Sequence, residues 1–265
     1  MVEDFVALAR PGRVMANLCH TEVLPPGVSS VNLPRVLTGT TTAIQTTQNT
    51  ALSQTDMTTA AVSSSIVTIG GKQVVSQQLL DQSGIPFDRV ILGDLTADYA
   101  RQLDTQVLTG SGTAGQLRGY LTATSTNNQT WTQATPTAGL FYSQLAKLQG
   151  AINANRYASP DTVVMHPRRW AWLASFADST GRPLVVPSSG GFNSMANPGA
   201  NAAQGFVGTV LGMEVYTDPN VPTNLGAGTN QDVVLVFLRD DLWLSSRPYA
   251  RKFSVSRTAI RPAYS

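Results

Sequence analysis

Few side chains in this sequence stand at spacings that chemistry would use. Gly110, Gly112 and Gly115 match G-x-G-x-x-G, whose backbone cradles a pyrophosphate when it follows a strand and opens a helix. Here the pattern follows a long helical repeat and precedes a strand-like run. The geometry is reversed, and a turn at a helix C-terminus is the better reading. His20 and His166 are the only histidines, and neither has cysteines or carboxylates at metal-ligand spacing. A Ser-His-Asp set assembles across a fold and escapes sequence inspection, but no G-x-S-x-G elbow is present. Asp94, Asp98 and Asp104 line part of the long helix and read as a solvated face, and Asp240 with Asp241 reads as a turn. Asn128 and Thr130 complete a glycosylation triplet that carries little weight without a signal peptide. No catalytic residue, cofactor site or metal ligand is assigned, and the expectation is a protein that is not an enzyme.

Arg239, Arg247, Arg251, Lys252, Arg257 and Arg261 gather near the C-terminus. They suit contact with DNA phosphates or ion pairing within and between subunits. The second is preferred, because aromatic interleaving and a high net charge are both absent. The net charge is +2, and 15 arginines stand against three lysines. The charged share of 13% is about half the usual one, which makes the surface easier to desolvate against other subunits. Cys19 is the only cysteine, so there is no internal disulfide and no cysteine metal cluster, which fits a reducing compartment. No run is long enough to span a membrane, and the N-terminus lacks the basic-then-apolar pattern of a signal peptide.

The elements that position these residues are ordered around one helix. Ile91, Leu95, Tyr99, Leu103 and Val107 recur every four residues, with Phe87, Val90 and Leu108 widening the stripe. Asp88 or Pro86 suits its start, and Gly110 its end. A helix over 87–109 would be about 34 Å long. Before it, 1–34 is broken by six prolines and glycines from Pro11 to Pro34, with at most a short turn of helix at 4–9. Such a segment makes no core of its own and is either disordered or laid across a neighbour. Residues 36–71 carry one charge, Asp56, in a Thr/Ser/Gln/Ala-rich run. Strands are expected at 40–47 and 62–69, with a turn at 49–59, and a hairpin so poor in core formers needs support from outside itself.

Residues 72–81 read as a short helix, 117–124 as a strand and 125–137 as a polar link. Then come a helix at 140–154 with Leu140, Leu145, Leu148 and Ile152 on one face, a strand at 162–166 and a proline-led helix with Trp170, Leu173 and Phe176 inward. A Gly/Ser/Asn/Ala loop covers 188–204. Strands are expected at 208–218, 232–238, 242–247 and 253–261.

The series VVSQQLLDQS at 74–83, the helix at 87–109, the glycine turn at 110–115 and LRGYL at 117–121 resembles the HK97-fold major capsid proteins of tailed bacteriophages. VVMHPRRWAWLASFADSTGRPLV and GTVLGMEVYTD are similar to further family segments, and the likeness runs from Pro34 to Ser265. It implies an α+β fold with an N-terminal arm (1–34), an extended E-loop hairpin (35–71), a peripheral domain with a long spine helix (72–135), an axial domain (136–231) and return strands (232–265). The implied function is structural: hexamers and pentamers of the chain close into an icosahedral head around double-stranded DNA. The implied partners are the chain itself, scaffold, portal and decoration proteins, and DNA held by non-specific contact, with no membrane. The implied location is the virion, after assembly in the host cytoplasm.

Some members of that family join subunits covalently, a lysine on the E-loop attacking a neighbour's asparagine. No lysine lies between Arg35 and Gly71, while Lys72, Lys147 and Lys252 fall outside the hairpin, so a shell without cross-links is expected. The long charged leader that some members carry is also absent. Two alternatives remain: an encapsulin-type nanocompartment shell, and, more distantly, a nucleotide-dependent enzyme using the Gly110–Gly115 turn.

Overall fold

The computed structural model describes residues 8–49, 51–52, 54–76, 78, 87–123, 128–133, 135–177, 181, 203–226 and 228–246. The elements in order are α1 (Val14–Leu18), β1 (His20–Val23), β2 (Ser30–Thr38), β3 (Thr58–Ser65), α2 (Phe87–Thr109), α3 (Ala138–Arg156), β4 (Thr162–Met165), α4 (Pro167–Ala174), β5 (Gly205–Val210), β6 (Met213–Thr217), β7 (Val234–Phe237) and β8 (Trp243–Ser246). One-turn 3-10 helices stand at Tyr120–Thr122 and Arg239–Asp241.

A four-stranded sheet in the order β5-β6-β4-β7 divides the apolar interior in two. Successive strand residues point to opposite faces, and β4 uses both. Val163 and Met165 pack with Phe141 and Leu145 of α3, Trp170 and Leu173 of α4, and Met213 and Val215 of β6. Val164 points the other way, to Leu108 of α2, Met15 and Leu18 of α1, and Leu235 and Phe237 of β7. All four residues of β4 are buried, which explains why its sequence is an unbroken apolar run instead of an alternation. β4 is parallel to β6 and antiparallel to β7, so the sheet crosses the expected boundary at residue 231. The single strand expected over 208–218 is two antiparallel strands. Leu211 (φ 54°) and Gly212 (φ 78°) form the turn between them, the left-handed pair a two-residue hairpin favours.

The long helix has the predicted bounds, and a close-packed turn ends it. Gly119 N–H donates to Gly110 O (2.8 Å) and Gly112 N–H to Leu117 O (2.9 Å). A Cβ on Gly110 would stand 2.2 Å from Leu117 O, and one on Gly119 would stand 2.5 Å from Gly110 N. The expected strand at 117–124 is replaced by this turn and the 3-10 helix after it. Ala138–Arg156 forms the next helix as expected, but Phe141 is buried where Leu140 was expected, and Leu140 is 41% exposed.

β2 and β3 form a separate antiparallel ribbon, with Leu33 opposite Val62. The hairpin is where the sequence places one, but its strands are 30–38 and 58–65, not 40–47 and 62–69. Pro34 had argued against a strand there. In a two-stranded ribbon both strands are edges, where a missing N–H is tolerated. Residues 39–57 contain no strand among those described.

Part of the N-terminal segment is built into its own subunit. Met15 is fully buried, Ala16 and Leu18 nearly so, and β1 pairs in parallel with β8, His20 opposite Trp243. The expectation that 1–34 lies without a core of its own, disordered or across a neighbour, is corrected to that extent. No helix includes Leu8 or Ala9, and residues 4–7 lie outside the described residues. Residues 72–76 are not helical; of 77–86 only residue 78 is described, and it is helical. The 188–204 loop lies almost wholly outside the described residues, as does the 253–261 strand entirely.

Candidate assembly interface

Several of the residues that sequence inspection singled out for chemistry make contacts that hold the fold. The G-x-G-x-x-G run is the turn after α2, with Gly112 and Gly115 at φ 74° and 75°, and only the one-turn 3-10 helix Tyr120–Thr122 follows it. His20 stacks on Trp243, ring centroids 4.4 Å apart. His166 caps α4: its Nδ1 accepts the Arg168 backbone N–H at 3.1 Å, and burial and the Arg168 charge push the imidazole below its usual range. Among the described residues no group of three or more His, Cys, Asp or Glu side chains could hold a metal ion.

The carboxylates of the long helix are only in part a solvated face: Asp94 and Asp98 are partly exposed but ion-paired, and Asp104 is buried. The Arg10 guanidinium grips Asp94 through Nε (2.7 Å) and Nη2 (2.9 Å), and reaches Asp98 through Nη1 (2.7 Å). Arg101 donates to the same Asp98 oxygen at 2.9 Å. The Arg10 hydrogen bond holds the Asp94 carboxyl below the usual carboxylate range. Asp104 is fully buried, accepting the Ala16 N–H at 2.8 Å and Asn220 Nδ2 at 2.9 Å. Three acids at helical spacing read as solvent-facing because their partners, Arg10 and the first turn of α1, lie more than eighty residues upstream.

Arg239, the described member of the C-terminal basic cluster, is turned inward. It donates to Glu214 and to Thr162 Oγ1 (2.8 Å) and lies over the Tyr216 ring at 5.3 Å. Arg247, Arg251, Lys252, Arg257 and Arg261 lie outside the described residues. Asp241 pairs with Arg156 at 2.8 Å and closes a 3-10 turn with Asp240, as expected.

On and beyond the ribbon, Val36 (58%), Leu37 (63%), Ile44 (90%) and Leu52 (79%) are exposed, and no described element covers them. Beneath the ribbon's base a broad cleft is lined by Leu33, Val62, Ile66, Leu95, Tyr99 and Leu103. An extended ribbon bearing uncovered aliphatic groups, projecting from a body in which Arg10, Arg156, Arg168, Arg169 and Arg239 are ion-paired internally, defines a structural subunit made to pack against copies of itself. The fold is of the mixed helix-and-strand, HK97-like capsid type.

The phage capsid family model matches residues 1–259, and the chain belongs to that family. It is a major capsid protein, a component of the head shell. Among solved structures, the capsid of a native GTA particle is similar at 16% identity and TM-score 0.68, over 94% of this chain and 81% of that one. A Mycobacterium phage Ogopogo protein is similar at 17% identity and TM-score 0.60, over 84% and 68%. One of Microbacterium phage Oxtober96 aligns at 12% identity and TM-score 0.59, over 93% and 77%. No curated protein matches the sequence. Neither the nanocompartment nor the nucleotide-dependent enzyme is favoured by these likenesses.

Proposed function

We propose that copies of this subunit, as hexamers and pentamers, close into an icosahedral shell around double-stranded DNA, joined by non-covalent contacts alone. In this reading the β2–β3 hairpin is the E-loop, lying over an adjacent subunit, and α2 is the spine helix of a peripheral domain formed by 72–135 and 232–265. Residues 136–231 form the axial domain, its sheet completed by β7. The carrying observation is the ribbon, whose exposed Val36, Leu37, Ile44 and Leu52 have nothing to lie on among the described residues of their own subunit. A cross-link of the isopeptide kind needs an amine at the contact, and the hairpin has none. Lys72 lies at its base, and Lys147 is exposed on α3. Assembly in the host cytoplasm, with scaffold, portal and decoration proteins as partners, accompanies this reading, as does non-specific contact with the packaged DNA. No described helix is long and apolar enough to cross a membrane.

Negative-stain imaging of the purified protein at assembly concentration tests the shell, with closed particles expected and a persistent monomer or dimer counting against it. Boiling particles in detergent tests the joints. One band near 28 kDa is the expected result, and a ladder of covalent oligomers would contradict it.

A further inference from the structure

Where the N-terminal segment meets the long helix, two buried carboxyl groups share one hydrogen-bonding partner. Asp104 (on α2) and Asp218 (just after β6) are both fully inaccessible to solvent, and one residue, Asn220, hydrogen-bonds to both carboxyl groups. Asp104 fastens the segment through the Ala16 N–H. Asn220 ties the loop into the same knot: its side chain donates to Asp104 Oδ2 and to Gly12 O, both at 2.9 Å, and its N–H donates to Asp218 Oδ1 at 2.9 Å. The second oxygen of Asp218, Oδ2, is buried with no conventional partner. Two carboxylates can only accept, so a contact between them is a hydrogen bond only when a proton lies in it.

We propose that the Asp104–Asp218 pair is a proton-dependent latch, fastening residues 12–16 to the long helix while it holds one proton and releasing them when that proton leaves to solvent. Burial, the hydrogen bond with Asp104 and the charge of Asp104 push Asp218 up to about 8. No described cation acts on Asp218 to oppose this. From the N-terminal segment, the titratable group facing the pair is Cys19, whose thiol is pushed up to about 11 by burial and by the Asp104 charge. On α2 the preceding charges, Asp98 and Arg101, are paired with each other, and Asp98 also with Arg10. The loop contributes neutral Asn220, and β4 contributes the Met165 carbonyl, which accepts the Asp218 N–H at 3.0 Å.

The sign follows from the raised value. The closed state keeps a proton that the open state gives up above about pH 4, so opening becomes easier as pH rises from there, by up to roughly tenfold per unit, and levels off above about 8.

Cys19 supplies the readout, because it is the sole cysteine, is 8% exposed and donates to Met15 O within the fastened segment. The experiment measures its labelling by an aromatic disulfide reagent in the full chain from pH 6 to 9, for wild type and for Asp218→Asn. The amide of that variant donates permanently to Asp104 and cannot titrate. The ratio of wild-type to variant rates, which cancels the reagent's own pH dependence, is expected to climb severalfold per unit and flatten near pH 8 to 9. A ratio constant across the range overturns the latch. If Asp218→Asn fails to fold, Asp104→Asn serves the same comparison. If both fail, wild-type trypsin cleavage after Arg13, divided by cleavage after exposed Arg35, must rise over the same range, and a flat quotient overturns the proposal equally.

Discussion

Two guanidinium groups, from Arg168 and Arg169 at the start of α4, converge on Asp232, whose side chain is 2% exposed. Arg168 also donates to Thr223 O at 2.6 Å, so the cluster joins α4 to the segment leading into β7. Burial alone would push this carboxyl up. The Arg168 hydrogen bond and the charges of both arginines outweigh it and hold Asp232 below the usual carboxylate range. A lowered carboxyl gives stability that is present above the unfolded value near 4 and lost as pH falls through the folded value. Asp232→Asn is therefore expected to cost roughly 1–3 kcal/mol at pH 7, as for a buried hydrogen bond to a charged group. The gap between the two melting temperatures should shrink as pH drops below about 4. Thermal melts at pH 7 and pH 3 check this, and an equal gap at both would show that the ion pairing is not the source of the loss.

At the scale of elements, the stability of the subunit gathers at the C-terminal end of the long helix. Leu108 is fully buried between α1 and the sheet, whereas Leu95, on the same stripe, is only half-buried. Leu108→Ala should cost about 2–5 kcal/mol, a lost side chain plus the cavity left behind. Gly119→Ala should cost at least about 1–3 kcal/mol by overpacking, since its Cβ would meet the backbone of Gly110, Thr109 and Leu108. Chemical denaturation measures both, and a near-neutral Gly119→Ala would mean the turn opens freely. The long helix was legible in the sequence because a four-residue apolar repeat, a capping position and a glycine stop all agree there; α3 was legible from its apolar spacing alone, and Tyr157, left-handed at φ 55°, ends it. The buried strand at 162–165 was legible from its unbroken aliphatic run. Asp104 was not, because a charged residue on a helix reads as solvent-facing until its distant partner is known. Neither was the ribbon's register, since β-branched threonines at 40–47 imitate a strand that Ser30–Thr38 in fact supplies. The cap at His166 left a fainter signal: a short polar side chain directly before a proline that opens a helix.

At the scale of the whole molecule, the ribbon and the body answer to different demands. Excising residues 40–56 and closing the ribbon with a short turn should leave the subunit's thermal transition in place, because none of the uncovered aliphatic groups there belongs to either core cluster. The same change should abolish or greatly weaken shell formation in light scattering. Unimpaired assembly would place the essential contacts elsewhere. The parallel pairing of β1 with β8 has a consequence of another kind, in time. His20 finds its strand partner in Trp243, about 220 residues later, and at ~5–20 residues per second a ribosome needs roughly 10–45 s to deliver it. Closing so long a loop is entropically slow even when both ends are free. Met15 and Leu18 leave the ribosome early yet have nothing to dock on until α2, β4 and β7 have followed. A nascent chain therefore reaches assembly competence late, and growth of a shell is expected to lag translation by the completion time of the last strands.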